Sequence, residues 1–190
     1  MSGQNTIDAS VFFFMIAKQL VGQRLRSVVY YETKRDPTDE GHWNEFGSAF
    51  DSLDIGLDME IQDGHRFSLS WGRSRDWELY IADHSLASEL VNYIATDVSS
   101  APRWIALIGK EIRKVSLFTK QYEGSSPQHL LIEFASGDSV VFSSAKYMPG
   151  SDQVIEFADH VLATFSKETM LKYSIGAYSE FVSFKESSPK

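Results

Sequence analysis

Two Asp-His pairs are the residues of this sequence whose types and spacing could do acid–base chemistry. They are Asp83-His84 and Asp159-His160. A carboxylate that orients a histidine is the usual arrangement of a general base. Neighbouring residues on a strand point to opposite faces, however, so Asp83, His84 and Ser85 are not expected to form a contiguous triad. We expect a structural role at the start of a helix. The alternative is a small-molecule-binding or hydrolytic site near both pairs, between the two repeated units of the chain that are described below.

Four side chains of metal-ligating type also lie close together, at Asp36, Asp39, Glu40 and His42. Their spacing matches neither an EF-hand loop nor a helical His-Glu-x-x-His motif, so a solvated loop is favoured and no metal site is predicted. The chain has no cysteine, which excludes disulfides and thiolate chemistry. Glycine-rich phosphate loops and nucleophile-elbow motifs are also absent, so neither a catalytic residue nor a cofactor is predicted.

The segments that must position these residues recur along the chain. Three stretches of the first half match three of the second in the same order: 20–28 with 107–115, 57–64 with 130–137, and 79–87 with 155–163. Ordered matches of this kind indicate an internal duplication. We therefore expect one domain over 1–190, built from units at about 8–98 and 99–176, with a C-terminal tail at 177–190.

Each unit has the pattern of a helix, several strands and a second helix. Apolar residues at helical spacing precede Gly22, and alternating residues at 55–61 and 67–71 flank Asp63-Gly64, which predicts a type I′ hairpin. A helix is predicted from Ser85 to Ile94, and a strand at 154–158 ends the second unit. The fold class is α+β: two tandem repeats of an antiparallel four-stranded unit plus helix, packed as one pseudo-two-fold domain.

Negative charge is concentrated in one segment. The whole chain carries −8, but residues 36–63 hold nine acids and no Lys or Arg. This segment overlaps an insertion at 34–47 that the second unit lacks. A solvated loop explains it as well as an interface does; the interface hypothesis places aromatic anchors inside an acidic surface. Its residues are Asp36, Asp39, Glu40, His42, Trp43, Glu45, Phe46, Asp51 and Asp54.

In small size, negative charge and absence of cysteine, the chain resembles the immunity proteins of bacterial toxin systems. The resemblance implies a non-catalytic protein that neutralises a basic toxin or effector by occluding its active site, and it transfers no site residues. A cytoplasmic location is expected because no targeting signal is recognised. Net negative charge argues against a nucleic-acid partner. The apolar run at 11–17 is too short to span a bilayer, so no membrane partner is expected. A scaffold that forms homo-oligomers is a further alternative.

Overall fold

Antiparallel strands make up most of the fold and form two sheets, with few helices, as expected for the α+β class. The computed structural model describes residues 9–35, 44–46, 50–72, 78–119, 127–175 and 182–183. Its helices are α1 (Ala9–Leu20), α2 (Pro102–Ile105) and α3 (Lys167–Lys172), and a short 3₁₀ helix spans Leu86–Ser88. The predicted helices before Gly22 and before Gly109 are therefore confirmed.

The first sheet has five strands, all from the first half of the chain, in the order β6-β5-β4-β1-β7. Their bounds are β1 Leu25–Thr33, β4 Gly56–Ile61, β5 Arg66–Trp71, β6 Leu79–Ala82 and β7 Tyr93–Asp97.

The second sheet has seven strands in the order β12-β8-β9-β10-β11-β3-β2. Their bounds are β2 Asn44–Phe46, β3 Phe50–Leu53, β8 Ile112–Thr119, β9 Pro127–Phe134, β10 Ser139–Met148, β11 Gln153–Thr164 and β12 Val182–Ser183. Strands β2 and β3 belong to the first half of the chain, yet β3 pairs with β11 of the second half. The sheets thus have five and seven strands, and the two repeats of a four-stranded unit do not correspond to the two sheets. Within the predicted tail, Val182–Ser183 pair with β8.

The main hydrophobic core lies between the sheets and draws on both. Apolar side chains at alternating positions of β4, β5, β9 and β10 face it, as period-2 patterning requires. Helices α1 and α2 contribute Leu20 and Trp104 to the same cluster. The sheets contribute, among others, Leu57, Met59, Phe67, Ile132, Phe142 and Val161. A second cluster, including Phe50 and Met170 of α3, covers the other face of the seven-stranded sheet.

Reciprocal backbone hydrogen bonds join the sheets where β1 and β8 begin. The Gly22 N–H donates to the Ile112 carbonyl at 2.8 Å, and the Gly109 N–H donates to the Leu25 carbonyl at 2.7 Å. Gly22 and Gly109 have φ of 85° and 77°, a left-handed conformation that ends the preceding helix and favours glycine. Two more bonds complete the joint: Leu25 N–H to Lys110 carbonyl at 3.1 Å, and Ile112 N–H to Gln23 carbonyl at 2.8 Å.

The hairpins occur where they are predicted, but their turn type differs from type I′. Between β4 and β5 the Gly64 N–H donates to the Ile61 carbonyl at 2.9 Å. Only Gly64 has a positive φ, 89°, whereas a type I′ turn needs one at Asp63 as well. The turn is a type I turn followed by a left-handed glycine. The second hairpin repeats it at Gly137, with φ of 93°.

The helix predicted from Ser85 to Ile94 is wrong. The chain forms only the 3₁₀ helix Leu86–Ser88, capped by Ser85, and then β7. Strand β7 pairs along β1, so its backbone groups are satisfied by the sheet, and its β-branched and aromatic residues suit a strand. Tertiary pairing overrides the helical spacing of the apolar residues here.

The repeat predicts that the Asp159-His160 pair lies at a strand-to-helix junction. In the structure the pair lies within β11 instead. Strand β11 continues through the pair to Thr164, and a register shift between Ser144 and Ala145 of β10 accommodates the extra residues. The helix after β11 begins later, with Ser166 as its N-cap. Ser166 therefore caps the helix that follows β11, as Ser85 caps the 3₁₀ helix that follows β6. The cap is not a residue near His160.

Gly56 is predicted to be indispensable to the five-stranded sheet. A Cβ atom at this position would lie 2.1 Å from the Leu69 carbonyl oxygen, a backbone atom of the neighbouring strand. We expect Gly56→Ala to lower the free energy of unfolding by at least about 3 kcal/mol, measured by urea denaturation. Gly150→Ala, where a Cβ meets nothing within 4 Å, is the matched control. Equal stability of the two variants would contradict the packing at Gly56.

Candidate functional site

The acidic segment is divided between the interior and the surface of the fold. Five predicted interface residues, Asp36, Asp39, Glu40, His42 and Trp43, lie outside the described residues. The backbone of Glu45 and Phe46 belongs to β2. The remaining two, Asp51 and Asp54, have well-defined partners inside the protein.

Asp51 is buried, with 3% of its surface exposed. Its carboxylate accepts a hydrogen bond of 2.7 Å from the Tyr30 hydroxyl and pairs with Arg103 of α2. The indole N–H of Trp104 donates to the same Tyr30 hydroxyl. Burial, followed by the charge of Asp51, raises the pKa of Tyr30 well above its usual value. Asp51 thus ties β3 to β1 and α2; although it is predicted for the interface, its carboxylate is bound inside the protein.

Asp54 lies between β3 and β4, next to Glu32 of β1. The Asp54 N–H lies 3.3 Å from both carboxylate oxygens of Glu32, and Asp54 Oδ1 accepts a 2.9 Å hydrogen bond from the Thr33 N–H. Arg35 approaches Asp54 Oδ2 at 3.7 Å. Burial and the adjacent Asp54 carboxylate raise the pKa of Glu32 to about 9. Glu32 is therefore protonated at neutral pH.

A cavity of about 680 Å³ opens beside Asp54, at one end of the five-stranded sheet. Its floor comes from the ends of β1 and β5 and the starts of β4 and β6, and one wall comes from the chain between the 3₁₀ helix and β7. The described residues of its lining include three carboxylates and no Lys, Arg or His. The lining residues are Thr33, Asp54, Ile55, Ser70, Trp71, Gly72, Glu78, Tyr80, Leu86, Glu89, Leu90, Val91 and Asn92.

Two aromatic rings and two glutamates are held at this cavity by local contacts. The Trp71 indole N–H donates to the Asp54 carbonyl at 2.6 Å, which fixes the ring. Glu78 packs over Gly72, where a Cβ would lie 2.8 Å from the Glu78 Cγ atom. Burial, then the charges of Glu89 and Asp83, raises the pKa of Tyr80.

A buried carboxylate anchors the cavity wall. Asp58 of β4, 3% exposed, accepts hydrogen bonds from the Tyr31 hydroxyl at 2.8 Å and from the Leu86 N–H at 2.9 Å. The Ser85 hydroxyl donates to it as well. These bonds hold the 3₁₀ helix against the sheet, and burial of Tyr31 raises its pKa to about 12. Asp58, although it lies within the acidic segment, is therefore internal.

The two Asp-His pairs lie on different sheets and make local contacts. His84 follows β6, is 44% exposed and pairs with Glu89 and with Asp83. The Glu89 hydrogen bond is the main cause of the raised pKa of His84. His160, within β11, contacts its neighbour Asp159 at 3.0 Å. Neither histidine lines the cavity, whose residues all fall between 33 and 92, so the cavity differs in place from a site between the two units.

A serine, a histidine and a glutamate lie close together at a position that no sequence pattern indicated. His129 Nδ1 lies 2.7 Å from the Ser143 hydroxyl, and His129 Nε2 lies 3.5 Å from Glu156. The residue types are those of a nucleophilic site. Ser143 and His129 are both 0% exposed, however, so a substrate has no access to the hydroxyl.

Comparisons with protein-family models, curated proteins and solved structures find no match. Function is therefore inferred from the geometry of the site alone. Among the described residues, no group of three or more His, Asp or Glu side chains could hold a metal ion. None of the described helices has the length and apolar composition needed to cross a membrane.

The sequence did not single out Glu32, Glu78 or Glu89 as site residues. The first lies just before the acidic segment and the other two lie after it, so a count of charge along the chain misses them. The available signal was topological. Hairpin-connected strands bring the end of β1 and the start of β6 to the same end of a sheet, and acids lie at both places.

Replacement of Asp51 should cost stability. In Asp51→Asn the partly buried Arg103 loses its charged partner, and we expect the free energy of unfolding to fall by about 3 kcal/mol, measured by urea denaturation. Asp63→Asn, in the exposed β4–β5 turn, should change it by less than about 0.5 kcal/mol. An Asp51→Asn variant with unchanged stability would show that the network is not structural.

The raised pKa of Glu32 predicts that the free energy of unfolding decreases as the pH rises. Its pKa is raised to about 9 in the folded protein. The folded protein keeps a proton that the unfolded chain loses near the ordinary glutamate value. Stability should therefore decrease from about pH 5 to pH 9, by at most about 1.4 kcal/mol per pH unit from this group.

Glu32→Gln should remove this contribution, since glutamine mimics the protonated acid. The measurement is the urea midpoint of each protein across that pH range. Glu168→Gln, at an exposed position of α3, should follow the unmodified protein. Parallel curves for the unmodified protein and Glu32→Gln would contradict a protonated Glu32.

Proposed function

We propose that the protein is a non-catalytic binding module of the immunity or inhibitor type, which neutralises a basic toxin or effector through an acidic surface. The observation that supports this proposal is the position of Asp54, which belongs to the acidic segment 36–63. Its carboxylate lies 3.7 Å from the guanidinium of Arg35, the last described residue before that segment, and Asp54 lines a cavity with two further carboxylates. We infer that the acidic segment and the cavity form one negatively charged region.

The charge of this region suits a basic protein. Complementary charges speed association and select against wrong partners. The exposed Val91 and Tyr80 beside the carboxylates, with 84% and 42% of their surfaces accessible, offer the apolar contact that an interface centre usually contains. The predicted anchors Trp43 and Phe46 belong to the same insertion and remain part of the proposal.

The internal duplication belongs to this proposal as an account of how the binding region arose. The reciprocal bonds of Gly22 and Gly109 support it, and so do the two hairpins with a left-handed glycine at Gly64 and Gly137. The second half has no counterpart of the insertion. Divergence of one unit around a shared framework would then have produced the acidic region.

A small-molecule ligand is the second candidate function, and the cavity is the observation that favours it. Its volume of about 680 Å³ is in the range of ligand sites. Residues of the insertion should contribute to the binding of a partner protein. They should not contribute to the binding of a free ligand in the cavity.

Charge reversal tests the proposed function. The tagged full-length chain captures partners from the native host, and the affinity of each purified partner is then measured at low and high salt. Asp39→Lys with Glu40→Lys should weaken binding by about tenfold or more, and salt should weaken binding to the unmodified protein.

The matched control is Asp138→Lys with Glu168→Lys, which makes the same change in net charge at exposed positions of the second half. This control should leave the affinity for the partner within about twofold of that of the unmodified protein, because charges far from the interface contribute little to binding. Co-expression adds a functional readout: the unmodified protein should suppress toxicity of the partner and the Asp39/Glu40 variant should not. Equal binding and equal protection by both double variants would contradict the acidic-surface mechanism.

A further inference from the structure

Strand β7 forms one edge of the five-stranded sheet and pairs with β1 without a shift in register. The hydrogen bonds at the two ends of this pairing show which residues face β1. The Lys34 N–H donates to the Asn92 carbonyl at 2.9 Å, and the Val98 N–H donates to the Val28 carbonyl at 3.0 Å. Because antiparallel strands bond through alternate residues, the even-numbered residues from 92 to 98 face β1.

The odd-numbered residues of β7 therefore direct their backbone groups away from the sheet. They are Tyr93, Ala95 and Asp97, of which Ala95 and Asp97 are exposed. Within the part of the chain that the structure describes, no backbone group bonds to their N–H and C=O groups. A row of this kind is a template for one more strand.

The edge lacks the features that usually keep edge strands from pairing with another chain. These features are lysine, proline or a bulge, and the sequence Tyr-Ile-Ala-Thr-Asp of β7 contains none of them. Its one charged residue, Asp97, stands at the last position, where Oδ1 accepts a 2.9 Å hydrogen bond from the Ser99 N–H.

The other edges among the described strands are protected. Strand β6 lies against β9 of the other sheet. Strands β2 and β12 have only three and two residues. The part of β11 that extends beyond β3 lies next to the register shift in β10. A long, regular and open edge therefore occurs at β7 alone among these strands.

A second copy of the chain has the geometry to cover this edge. The outward positions are symmetric about Ala95, so a two-fold axis through it places Ala95 opposite Ala95. The same axis places Tyr93 opposite Asp97 of the second copy, and each outward N–H then meets a carbonyl. The small side chain of Ala95 brings neither bulk nor charge to the axis.

The distribution of charge favours a second copy over a basic partner at this edge. The two Asp97 carboxylates would lie four strand positions apart, about 13 Å, which exceeds the screening length of about 8 Å at physiological salt. The cavity borders Asn92, so the antiparallel arrangement places the two cavities at opposite ends of the shared edge. A basic partner would be attracted to those ends, because the middle of β7 is uncharged.

We propose that β7 pairs with β7 of a second copy across a two-fold axis at Ala95, which joins the two five-stranded sheets into one continuous sheet. Assembly closes at two copies, because the described strands offer no second edge of this kind. The shared edge is short compared with the roughly 800 Å² per partner of a stable interface, so we expect a reversible dimer that forms at about 100 µM. This inference does not depend on the proposed function.

Cysteine cross-linking tests the position of the axis, because the chain has no cysteine of its own. In Ala95→Cys the two Cα atoms would lie about 5.5 Å apart, within the range of a disulfide. Mild oxidation at about 100 µM should convert most of this variant into a covalent dimer on a non-reducing gel. Asp97→Cys, whose Cα atoms would lie about 13 Å apart, and Ala135→Cys, in the exposed β9–β10 turn, should give at least about tenfold less.

Sedimentation equilibrium tests the pairing without cross-linking. The unmodified protein should form dimers with rising concentration. Ala95→Lys, which places two ammonium groups at the axis, should remain monomeric up to about 500 µM, because like charges directly opposite each other destabilise paired strands. The matched control, Ala135→Lys, should dimerise as the unmodified protein does. Equal urea midpoints of the two lysine variants confirm that both are folded.

Several outcomes would overturn the inference. They are a monomeric unmodified protein at about 500 µM, equal cross-linking of the Ala95→Cys and Asp97→Cys variants, or a dimer that persists in Ala95→Lys. A monomeric protein whose capture of a host partner is lost in Ala95→Lys would assign the edge to a strand of that partner. None of these results affects the Asp39/Glu40 test, so the acidic-surface function and the β7 dimer fail independently.

Discussion

The joint between the two sheets is the constraint on which the remaining structure depends. Four backbone hydrogen bonds between residues 22–25 and 109–112 fix how β1 and β8 begin. Backbone bonds of this kind leave little freedom in register, since a one-residue slip would turn every apolar side chain away from the core. The inward residues of β1 are fixed in this way, and Tyr30 reaches Asp51 as a result. The position of Glu32 near the end of the same strand follows from the same register.

The acidic segment lies in two different environments because part of it crosses to the other sheet. Strand β3 pairs with β11, which carries Asp51 into the protein beneath α2. The chain then returns to the first sheet at Gly56, and Asp54 lies at this crossing, where it meets Glu32 and the cavity. Acids that look equivalent in a composition count therefore differ in their surroundings. Asp51 supports the framework, whereas Asp54 borders the cavity.

Local sequence patterns predicted the elements that depend on neighbouring residues. The helices before Gly22 and Gly109, the strands around Asp63-Gly64 and the hairpin at Gly137 follow from periodicity and turn chemistry. The sequence did not predict β7, because its helical spacing is overridden by pairing with β1. Nor did it predict that β3 joins β11, since strand partners distant in the chain leave no local signal. The cavity was missed for a similar reason: its residues come from separate segments that meet through the pairing of β1, β4, β5 and β6.

A protonated Glu32 explains how two carboxyl groups can lie side by side at the end of β1. Ionisation of Glu32 would place a negative charge in a partly buried position next to the Asp54 carboxyl group, which is costly. Retaining the proton avoids this cost at neutral pH, and Arg35, 3.7 Å from Asp54, offsets part of it. The register of β1, which brings Glu32 to Asp54, therefore also makes the stability of the fold depend on pH.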